Sequence, residues 1–463
     1  MLPGDPTYAA GKLDYNPIFD GIHPQALAFC ASPSDAAACL AFVREHSVPF
    51  AVRSGGHSYA GYSLSNGLVL DVTHMASVRP STSAATISVG AGCRLVDLYA
   101  ACAAAGVAVP GGSCPTVGIA GLALGGGIGV VGRKLGLTCD TMTSVEMVTA
   151  DGKLLTADPR NGSDLFWALR GAGAGNFGVV TDITFRTVPS RDLGLFTLVY
   201  EWSDAPAVVA AWQEFAPHAP DELWSNCLLI ASQRTPSGFS PVARVTGVYW
   251  GDEGALATAL QPFRQAVGAS PFTNFIGSAE YLHTMLIQAG CEGYSIEQCH
   301  LPSENPAGVL TRAPSAAKSD YLARPLPSAG IKALLSAVEA RQASSLLAGG
   351  GIALDASGGA INRVNSTETA FCHRSDLATL QYSAEWPTGA SAEVVSANYA
   401  WLASTWSSMR SYVSGQAYQN YTDPGLAKWQ SAYYGPNFAR LREVKSKYDP
   451  DNVFRFAQSI PPL

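Results

Sequence analysis

The chain reads Pro110-Gly-Gly-Ser-Cys114-Pro-Thr-Val-Gly118-Ile-Ala-Gly121-Leu-Ala-Leu-Gly125-Gly-Gly-Ile-Gly129, and eight of these twenty residues are glycine. Glycine weakens the interior of both helices and strands, so regular structure alone does not call for so many. The pattern indicates backbone that lies directly against a large flat ligand. Cys114 stands inside this segment, followed by a proline. It either faces that ligand or is a buried, inert cysteine.

A second glycine loop follows a predicted strand. The sequence Arg53-Ser-Gly-Gly-His57 comes directly after an apolar run. Two successive glycines let backbone N–H groups converge on an anion such as a pyrophosphate. His57 is the next residue, so its imidazole is expected beside whatever the loop holds. Taken alone, this loop is better explained as a tight turn with a solvent-facing histidine.

A third segment has the spacing G-x-G-x-x-G, in Trp167-Ala-Leu-Arg-Gly-Ala-Gly173-Ala-Gly175-Asn-Phe-Gly178. A dinucleotide-binding βαβ unit needs this motif after a strand and at the start of a helix. Here a predicted helix precedes the motif and a predicted strand follows it. No acidic residue stands at a strand end about twenty positions on to bind a ribose. A Rossmann domain, and with it an NAD(P)-linked dehydrogenase, is therefore disfavoured.

These three strings resemble, in order and spacing, those of the berberine bridge enzyme-like branch of the vanillyl-alcohol oxidase superfamily of flavoproteins. The C-terminal strings are similar as well: Tyr418-Gln-Asn-Tyr421-Thr-Asp, Tyr434-Gly-Pro-Asn-Phe-Ala-Arg-Leu, Lys447-Tyr-Asp-Pro-Asp-Asn452-Val-Phe and Gln458-Ser-Ile-Pro-Pro. The resemblance spans nearly the whole chain, although residues 191–371 follow the family only in general plan.

The resemblance implies an α+β protein with the two-domain vanillyl-alcohol oxidase (PCMH-type) FAD-binding fold and an antiparallel-sheet substrate domain. Residues 1–190 are expected to bind FAD, residues 191–420 to form the substrate-binding domain, and residues 421–463 to return to the FAD-binding domain. A chain of 463 residues is also too long for one compact core, which favours two domains.

The resemblance also implies how FAD is held. The family's histidine and cysteine correspond to His57, which would bond the 8α carbon of the flavin, and Cys114, which would bond C6 through sulfur. The other residues expected to bind the cofactor are Arg53, Ser54, Gly55, Gly56, Ser58, Val117, Gly118, Gly121, Gly125, Asn176, Gly178, Val180, Asn420 and Asn452. In such proteins the cofactor carries the redox chemistry and the chain tunes it.

The implied reaction is hydride transfer from an alcohol or sugar C–H to the flavin, followed by reoxidation by O₂ to H₂O₂. Substrates in the family include sugars, oligosaccharides and hydroxylated or glycosylated natural products. Val117 occupies a position where a small side chain leaves room for O₂, which favours an oxidase, although it also suits an ordinary packed valine. The alternatives are a flavin-binding protein without turnover and a flavin dehydrogenase with an acceptor other than O₂.

The catalytic base is expected near the end of the substrate domain. Tyr421 is the first candidate and Tyr418 the second, and on an extended segment the two would face opposite sides. A phenol with a pKa of about 10 must have that pKa lowered to act at neutral pH. Glu385 and Gln381 lie on a predicted strand and are within reach of the pocket, but an exposed strand position explains Glu385 at least as well.

Local patterns predict a set of helices and strands. Apolar periodicity and capping residues predict helices over 34–43, 94–105, 163–169, 205–217, 331–342 and 393–413. Alternation predicts strands over 48–53, 68–72, 145–150, 153–157, 177–188, 196–202, 242–250 and 377–385. The pair Asp151-Gly152 predicts a tight hairpin. Beyond residue 190 these elements suggest helices packed on a sheet. Residues 425–463 are predicted to be helical and then extended.

Composition excludes several classes of partner. Charged residues make up only 14% of the chain, against roughly 25% in typical domains. The net charge is −7, and the sequence has no run of Lys or Arg, so nucleic acid and anionic membranes are not expected partners. No apolar run is long enough to span a bilayer. A small-molecule substrate and O₂ are expected, with the chain a monomer or a weak homo-oligomer.

The ten cysteines and eight histidines show no metal-binding spacing, because the sequence has no CxxC pair and no HxxxH pair. Cys291 and Cys299 either close a disulfide loop, which would favour an oxidising compartment, or are two free thiols. The N-terminus lacks the basic and apolar regions of a signal peptide. The compartment stays open between cytoplasmic and secreted with the signal removed.

Overall fold

The computed structural model describes residues 1–236 and 238–463. The chain begins with helix α1 (Tyr8–Gly11) and a small parallel sheet in the order β1-β3-β2, formed by β1 (Ala26–Phe29), β2 (Phe50–Arg53) and β3 (Leu68–Asp71). Helix α2 (Pro33–Glu45) connects β1 to β2. It starts where the Ser32 hydroxyl accepts from Asp35 N–H and Pro33 occupies the first turn, which are strong start signals.

A five-stranded antiparallel sheet follows, in the order β4-β5-β9-β7-β8. Its strands are β4 (Val78–Ser81), β5 (Thr86–Gly90), β7 (Met142–Thr149), β8 (Leu154–Ala157) and β9 (Gly178–Arg186), and the short β6 (Val107–Ala108) pairs with β10 (Val188–Pro189). The helices here are α3 (Leu95–Ala104), α4 (Ile119–Leu124), α5 (Gly132–Leu135) and α6 (Ser163–Leu169). The hairpin predicted at Asp151-Gly152 is confirmed, with Gly152 at φ 81°.

The middle of the chain forms a seven-stranded sheet, in the order β14-β11-β13-β12-β16-β17-β15, in which every pairing is antiparallel. Its strands are β11 (Leu193–Glu201), β12 (Leu223–Thr235), β13 (Gly238–Tyr249), β14 (Thr273–Ala279), β15 (Ser315–Leu322), β16 (Gly350–Ala356) and β17 (Ala378–Glu385). The helices are α7 (Ala205–Phe215), α8 (Glu253–Ala259), α9 (Gln261–Val267), α10 (Tyr281–Gln288), α11 (Ser328–Gln342), α12 (Ala360–Arg363) and α13 (Ala392–Met409).

One face of this sheet is covered by helices. Side chains of α7, α11 and α13, such as Trp212, Leu334 and Trp401, share one buried cluster with the strand residues Leu229 and Tyr382. The other face is free of these helices and lines the cavity described below. Helices on a sheet were predicted, and the α+β class is confirmed.

The C-terminal segment packs against the first part of the chain. Helices α14 (Trp429–Tyr434) and α15 (Phe438–Tyr448) are followed by an extended tail. Lys445 Nζ donates to the backbone oxygen of Asn176 at 2.6 Å and pairs with Asp449 at 2.7 Å, and all of this is buried. Ile460 N–H donates to Asn176 Oδ1 at 2.9 Å. The domain limits at 190 and 420 stay a prediction, because the hydrophobic cluster of the first part also includes residues of the middle part, such as Val248 and Tyr321.

The predicted helices and strands are confirmed to within a few residues, but eight strands were missed: β1, β4, β5 and β6 in the first part of the chain, and β12, β14, β15 and β16 in the seven-stranded sheet. Strand β16 has the sequence Gly-Gly-Ile-Ala-Leu-Asp-Ala, and β15 begins Ser-Ala-Ala-Lys-Ser. Both contain few β-branched or aromatic residues, so local propensity does not indicate a strand. Pairing with neighbours far away in the chain overrides that weak preference.

Candidate functional site

One large cavity lies between the glycine-rich loops and the seven-stranded sheet. Its volume is about 1380 Å³, above the roughly 300–1,000 Å³ of a cleft for one small ligand. The size suits an extended cofactor with a substrate beside it. The predicted site residues that line it are Ser54, Gly55, Gly56, His57, Ser58, Cys114, Val117, Gly118, Gly121, Asn176, Gly178, Val180, Glu385, Tyr418, Asn420 and Tyr421.

His57 is held in a defined orientation at the cavity. Its ring stacks on Tyr15 with centroids 4.0 Å apart, and its Nε2 is 2.8 Å from Thr116 Oγ1. Burial, together with the positive charge of Arg94, lowers the pKa of His57 to about 3. Arg94 is itself fixed, because it donates to the Thr116 backbone oxygen at 2.9 Å and pairs with Glu304 at 2.9 Å. The imidazole is therefore neutral at physiological pH.

Cys114 differs from the other cysteines of the chain. All ten are described, and Cys114 alone is exposed, because its side chain faces the cavity. This rules out the alternative of a cysteine packed into the core. Enclosure by the protein raises the pKa of the thiol, while a thiolate at this position would raise the pKa of Tyr15, Tyr59 and Tyr421. Cys114 therefore shares the cavity with the stacking partner of His57 and with the candidate base.

Three residues of the predicted cofactor-binding set do not line the cavity: Arg53, Gly125 and Asn452. Arg53 is buried, and its side chain connects neighbouring segments of the protein through hydrogen bonds and ion pairs. Its Nε donates to Asp71 at 2.5 Å, and its Nη2 donates to the backbone oxygen of Gly11 at 2.6 Å. A third contact reaches Asp14 at 3.6 Å. Because these partners occupy the guanidinium, Arg53 supports the strand that precedes the His57 loop.

Gly125 and Asn452 also have structural explanations. A Cβ atom at Gly125 would stand 1.9 Å from Asn420 Oδ1, so this glycine makes room for a neighbouring side chain. Asn452 has a φ of 50° and donates its N–H to the backbone oxygen of Asp449 at 3.1 Å. Asparagine tolerates this left-handed conformation better than most residues. The motif positions are thus required by the turn and the packing, with no cavity contact.

The seven-stranded sheet presents a row of polar side chains to the cavity. Register places Thr197 opposite Thr246, Thr246 opposite Asn226, and Asn226 opposite Asp355. These four residues therefore form one straight row across β11, β13, β12 and β16, and all of them line the cavity. Directly opposite residues share a sheet face and lie within contact distance. The row offers hydroxyl, amide and carboxylate groups to a polar ligand.

Asp355 is the functional candidate that sequence reasoning missed. Burial raises the pKa of this carboxyl to about 6, while hydrogen bonding by the Asn226 side chain opposes the rise. A carboxyl with a raised pKa in a cavity is a candidate acid or base. A sequence signal existed, because Asp355 is the one charged residue in an otherwise apolar strand. That strand was not predicted, so the signal had no context.

Tyr418 and Tyr421 lie on a turn. Tyr421 N–H donates to the Tyr418 backbone oxygen at 2.9 Å, and the two rings meet edge to face with centroids 4.9 Å apart. The prediction that they face opposite sides of an extended segment is wrong, because this i to i+3 hydrogen bond folds the segment back on itself. Both residues line the cavity.

The two phenols have different surroundings. The Tyr418 oxygen accepts from Gly127 N–H at 3.0 Å, Ile128 N–H at 3.3 Å and Asn420 Nδ2 at 2.8 Å. Burial raises the pKa of Tyr418 to about 12, and these three donors oppose the rise. Burial raises the pKa of Tyr421 well above its usual value of 10. Neither phenol therefore has the lowered pKa that a free tyrosine base requires.

Tyr421 is half-buried and lines the cavity. Its ring stacks on Tyr59 with centroids 5.5 Å apart, and the negative charge of Asp355 adds to the rise in its pKa. Gln381 Nε2 donates to the Tyr59 hydroxyl at 3.1 Å. Glu385 also lines the cavity, but its side chain is exposed at the end of β17. Asp355 is therefore the better candidate for the catalytic base than Glu385.

The cavity fits a large ligand with both apolar and polar parts. A Cβ atom at Gly121 would meet nothing within 4 Å, so this glycine leaves open space where a cofactor ring is expected. Several buried polar atoms that line the cavity have no hydrogen-bond partner in the protein: Tyr62 Oη, Trp224 Nε1, Asn226 Oδ1, Gln419 Oε1 and Gln458 Oε1. Buried polar groups are nearly always paired, so these atoms indicate a bound partner. The residues present therefore fit FAD.

In the part of the chain that the structure describes, no group of three or more His, Cys, Asp or Glu side chains could hold a metal ion. Within residues 1–236 and 238–463, no helix is long and apolar enough to cross a membrane. Cys291 and Cys299 are buried free thiols, which is the second of the two alternatives given for this pair.

Comparison with known proteins agrees with the geometry. Residues 24–158 match the family model described as FAD binding domain, and residues 417–461 match the one described as Berberine and berberine like. The uncharacterized FAD-linked oxidoreductase YgaK of Bacillus subtilis (strain 168) is 32% identical over 99% of this chain and 96% of its own length. Chitooligosaccharide oxidase of Gibberella zeae is 31% identical over 95% of this chain and 87% of its own.

A solved structure extends this agreement to the fold. The wild-type BBE-like 1 of Physcomitrella patens superposes with a TM-score of 0.90 at 32% identity, covering 99% of this chain and 96% of that one. The expected family and the expected fold are confirmed by these matches. The chain therefore belongs to the berberine bridge enzyme-like family of FAD-linked oxidoreductases.

Proposed function

We propose that this enzyme is an oxidase of sugar-type alcohols that holds FAD through covalent bonds to His57 and Cys114. The observation that carries the proposal is the convergence of these two side chains on one cavity whose other wall includes Tyr421 and Asp355. Bound FAD would supply the oxidant that takes a hydride from a substrate C–H, with O₂ regenerating it and giving H₂O₂. The remaining steps belong to side chains of this chain.

The states of His57 and Cys114 support attachment. A neutral imidazole has one nitrogen with a free lone pair. We infer that Nε2–H of His57 donates to Thr116 Oγ1, 2.8 Å away, which leaves the lone pair on Nδ1. The Cys114 thiol is exposed to the cavity, so a ligand bound there can reach it. Nδ1 would hold the 8α carbon and Sγ would hold C6. Each bond would replace one hydrogen on the flavin and one on the side chain, with the two electrons taken up by the flavin and passed to O₂.

Removal of the substrate hydroxyl proton falls to Asp355 with help from Tyr421. The pKa of Asp355, about 6, leaves its carboxylate ionised at neutral pH and strong enough to hold a proton. The high pKa of Tyr421 keeps its phenol protonated, so it acts as a hydrogen-bond group that orients the substrate hydroxyl. This modifies the expectation that Tyr421 itself is the free base.

The sheet wall supports a sugar as substrate class. A polyhydroxylated ligand needs many donors and acceptors, and Thr246, Asn226 and Gln381 supply them on one face. One relative is named chitooligosaccharide oxidase, which is consistent with this choice. The cavity is also large enough to hold more than one sugar residue beside the cofactor.

The test starts with acid precipitation of the purified protein, because covalently bound flavin leaves the pellet yellow. The native enzyme is then mixed without air with a panel of mono- and oligosaccharides, and its visible absorbance is followed. We expect bleaching by at least one sugar, and H₂O₂ on admission of air. Bleaching without peroxide would indicate an acceptor other than O₂. No bleaching by any sugar would contradict the proposed substrate class.

A further inference from the structure

Arg244 is a cationic side chain on the substrate wall that has no acidic partner. It lies on β13, lines the cavity and is half-buried. Its Nε is enclosed without a hydrogen-bond partner, and among the described residues no acidic side chain pairs with it. Arginine stays charged at physiological pH even when burial lowers its pKa. An uncompensated positive charge therefore faces the space where substrate is expected.

The sheet register shows why Asp355 does not neutralise this charge. Leu228 stands opposite Arg244 on β12, and Ala353 stands opposite Leu228 on β16. Asp355 is two residues further along β16, with β12 between the two charges. Strand spacings of roughly 4.8 Å and a rise of roughly 3.4 Å per residue put the two Cα atoms about 12 Å apart. The proton-accepting group and the cation are thus separate parts of one wall.

We propose that Arg244 binds a carboxylate on the substrate, so that the enzyme prefers an acidic saccharide of the uronic acid type over its neutral counterpart. This inference rests on the proposed function and specifies its substrate class. The planar guanidinium matches a carboxylate through two parallel N–H···O bonds. A buried charge without a partner is costly, and a substrate carboxylate would remove that cost.

A carboxylate fits better than a phosphate. Among the described lining residues of the seven-stranded sheet, Arg244 is the single cation, while Asp355 and Glu385 are acidic. A dianion would meet one positive charge and two negative ones. A monoanion adds one negative charge where a dianion adds two, so with the exposed Glu385 screened by solvent it leaves less uncompensated negative charge beside Asp355.

The experiment compares matched pairs of a neutral saccharide and its uronic acid: glucose with glucuronate, and cellobiose with cellobiouronate. Titration calorimetry without air gives Kd when the flavin of the holoenzyme has first been reduced with dithionite, because reduced flavin cannot oxidise the sugar. Peroxide formation in air by the oxidised enzyme gives kcat/KM. We expect the wild type to bind the acid of at least one pair more tightly. Arg244→Gln should weaken that acid about 10- to 100-fold, as for loss of a hydrogen bond to a charged group, and change its neutral partner less than about twofold by the same reasoning.

Two further variants serve as controls. Arg234→Gln removes an exposed arginine of the neighbouring strand, outside the cavity, and should leave both sugars unaffected. Arg244→Lys keeps the charge but loses the two-bond geometry, and should bind the acid with intermediate affinity.

The outcomes separate this inference from the proposed function. Acids that bind more tightly, depend on Arg244 and yet are not oxidised would support the inference and contradict the oxidase. The inference is overturned if neither acid is favoured by the wild type. It is also overturned if Arg244→Gln weakens acid and neutral sugar equally, because the arginine would then serve the cofactor.

Discussion

Gly55 and Gly118 lie with their backbones in contact at the point where the two glycine-rich loops cross. A Cβ atom at Gly55 would stand 2.1 Å from Gly118 N, and a Cβ atom at Gly118 would stand 2.4 Å from Gly55 N. No side chain fits between the loops. Because His57 closely follows Gly55 and Cys114 closely precedes Gly118, this crossing brings both side chains to one cavity.

The first prediction tests this crossing with Gly118→Ala. Gly118 has a φ of −75°, which alanine adopts freely, so any effect arises from the contact. We expect overpacking to lower the free energy of unfolding by about 1–3 kcal/mol and to reduce the amount of covalent flavin. Denaturant unfolding and the flavin-to-protein absorbance ratio measure the two. Gly21→Ala is the control, since a Cβ atom there meets nothing within 4 Å; equal behaviour of the two variants would contradict the contact.

The second prediction concerns attachment. His57→Ala and Cys114→Ala should each keep covalent flavin through the remaining bond, and the double variant should lose it on denaturation. The reason is that both side chains face the same cavity, so either can react alone. Intact mass after denaturation is the measurement. A wild-type mass equal to that of the bare polypeptide would refute covalent attachment altogether.

The third prediction separates the two tyrosines. Tyr421→Phe should slow substrate-driven bleaching about 10-fold, because the hydrogen bond that orients the substrate hydroxyl towards Asp355 is lost, and should leave flavin content unchanged. Tyr418→Phe removes an oxygen that accepts three N–H groups. It should mainly lower stability, by about 1–3 kcal/mol. Rates of flavin bleaching after rapid mixing with substrate are the measurement. Slow bleaching in Tyr418→Phe together with a normal rate in Tyr421→Phe would reverse the assignment.

The fourth prediction is a pH dependence set by Asp355. Its carboxyl must be ionised to accept a proton, and its pKa is about 6, so kcat/KM should rise with pH through about 6 and level off above. Asp355→Asn should lower the rate and remove this step. Asp376→Asn is the matched control, because burial also raises the pKa of Asp376 to about 6 while the residue lies outside the cavity lining. A step that survives in Asp355→Asn would exclude Asp355 as its source.

The fifth prediction concerns O₂. Val117 lines the cavity beside the Cys114 loop and is only partly buried. Val117→Leu should fill space that O₂ requires, so peroxide formation should slow while reduction of an artificial dye acceptor stays near the wild-type rate. Parallel assays with O₂ and with the dye measure this. Equal loss in both assays would mean that Val117 affects substrate and not O₂.

The motifs predicted correctly which segments of the chain form the site. They were a poorer guide to the role of each residue within those segments. Gly55, Gly118, His57 and Cys114 were predicted at the site and line the cavity. Arg53 belongs to the same strings, but the structure uses it as an internal tie. A motif records which residues must be present together. It does not distinguish a residue that touches a ligand from one that supports its neighbour.

The sequence by itself determined the family, the glycine-rich loops and the pair His57 and Cys114, because these features are local strings whose spacing survives without coordinates. Only the tertiary structure decided which side chains line the substrate side of the cavity. Asp355 and Arg244 lie on strands far apart in the chain, and they share a sheet face only through strand register. Their chemical state also depends on folding, since burial shifts the pKa of each group only once the sheet and the loops have enclosed the cavity.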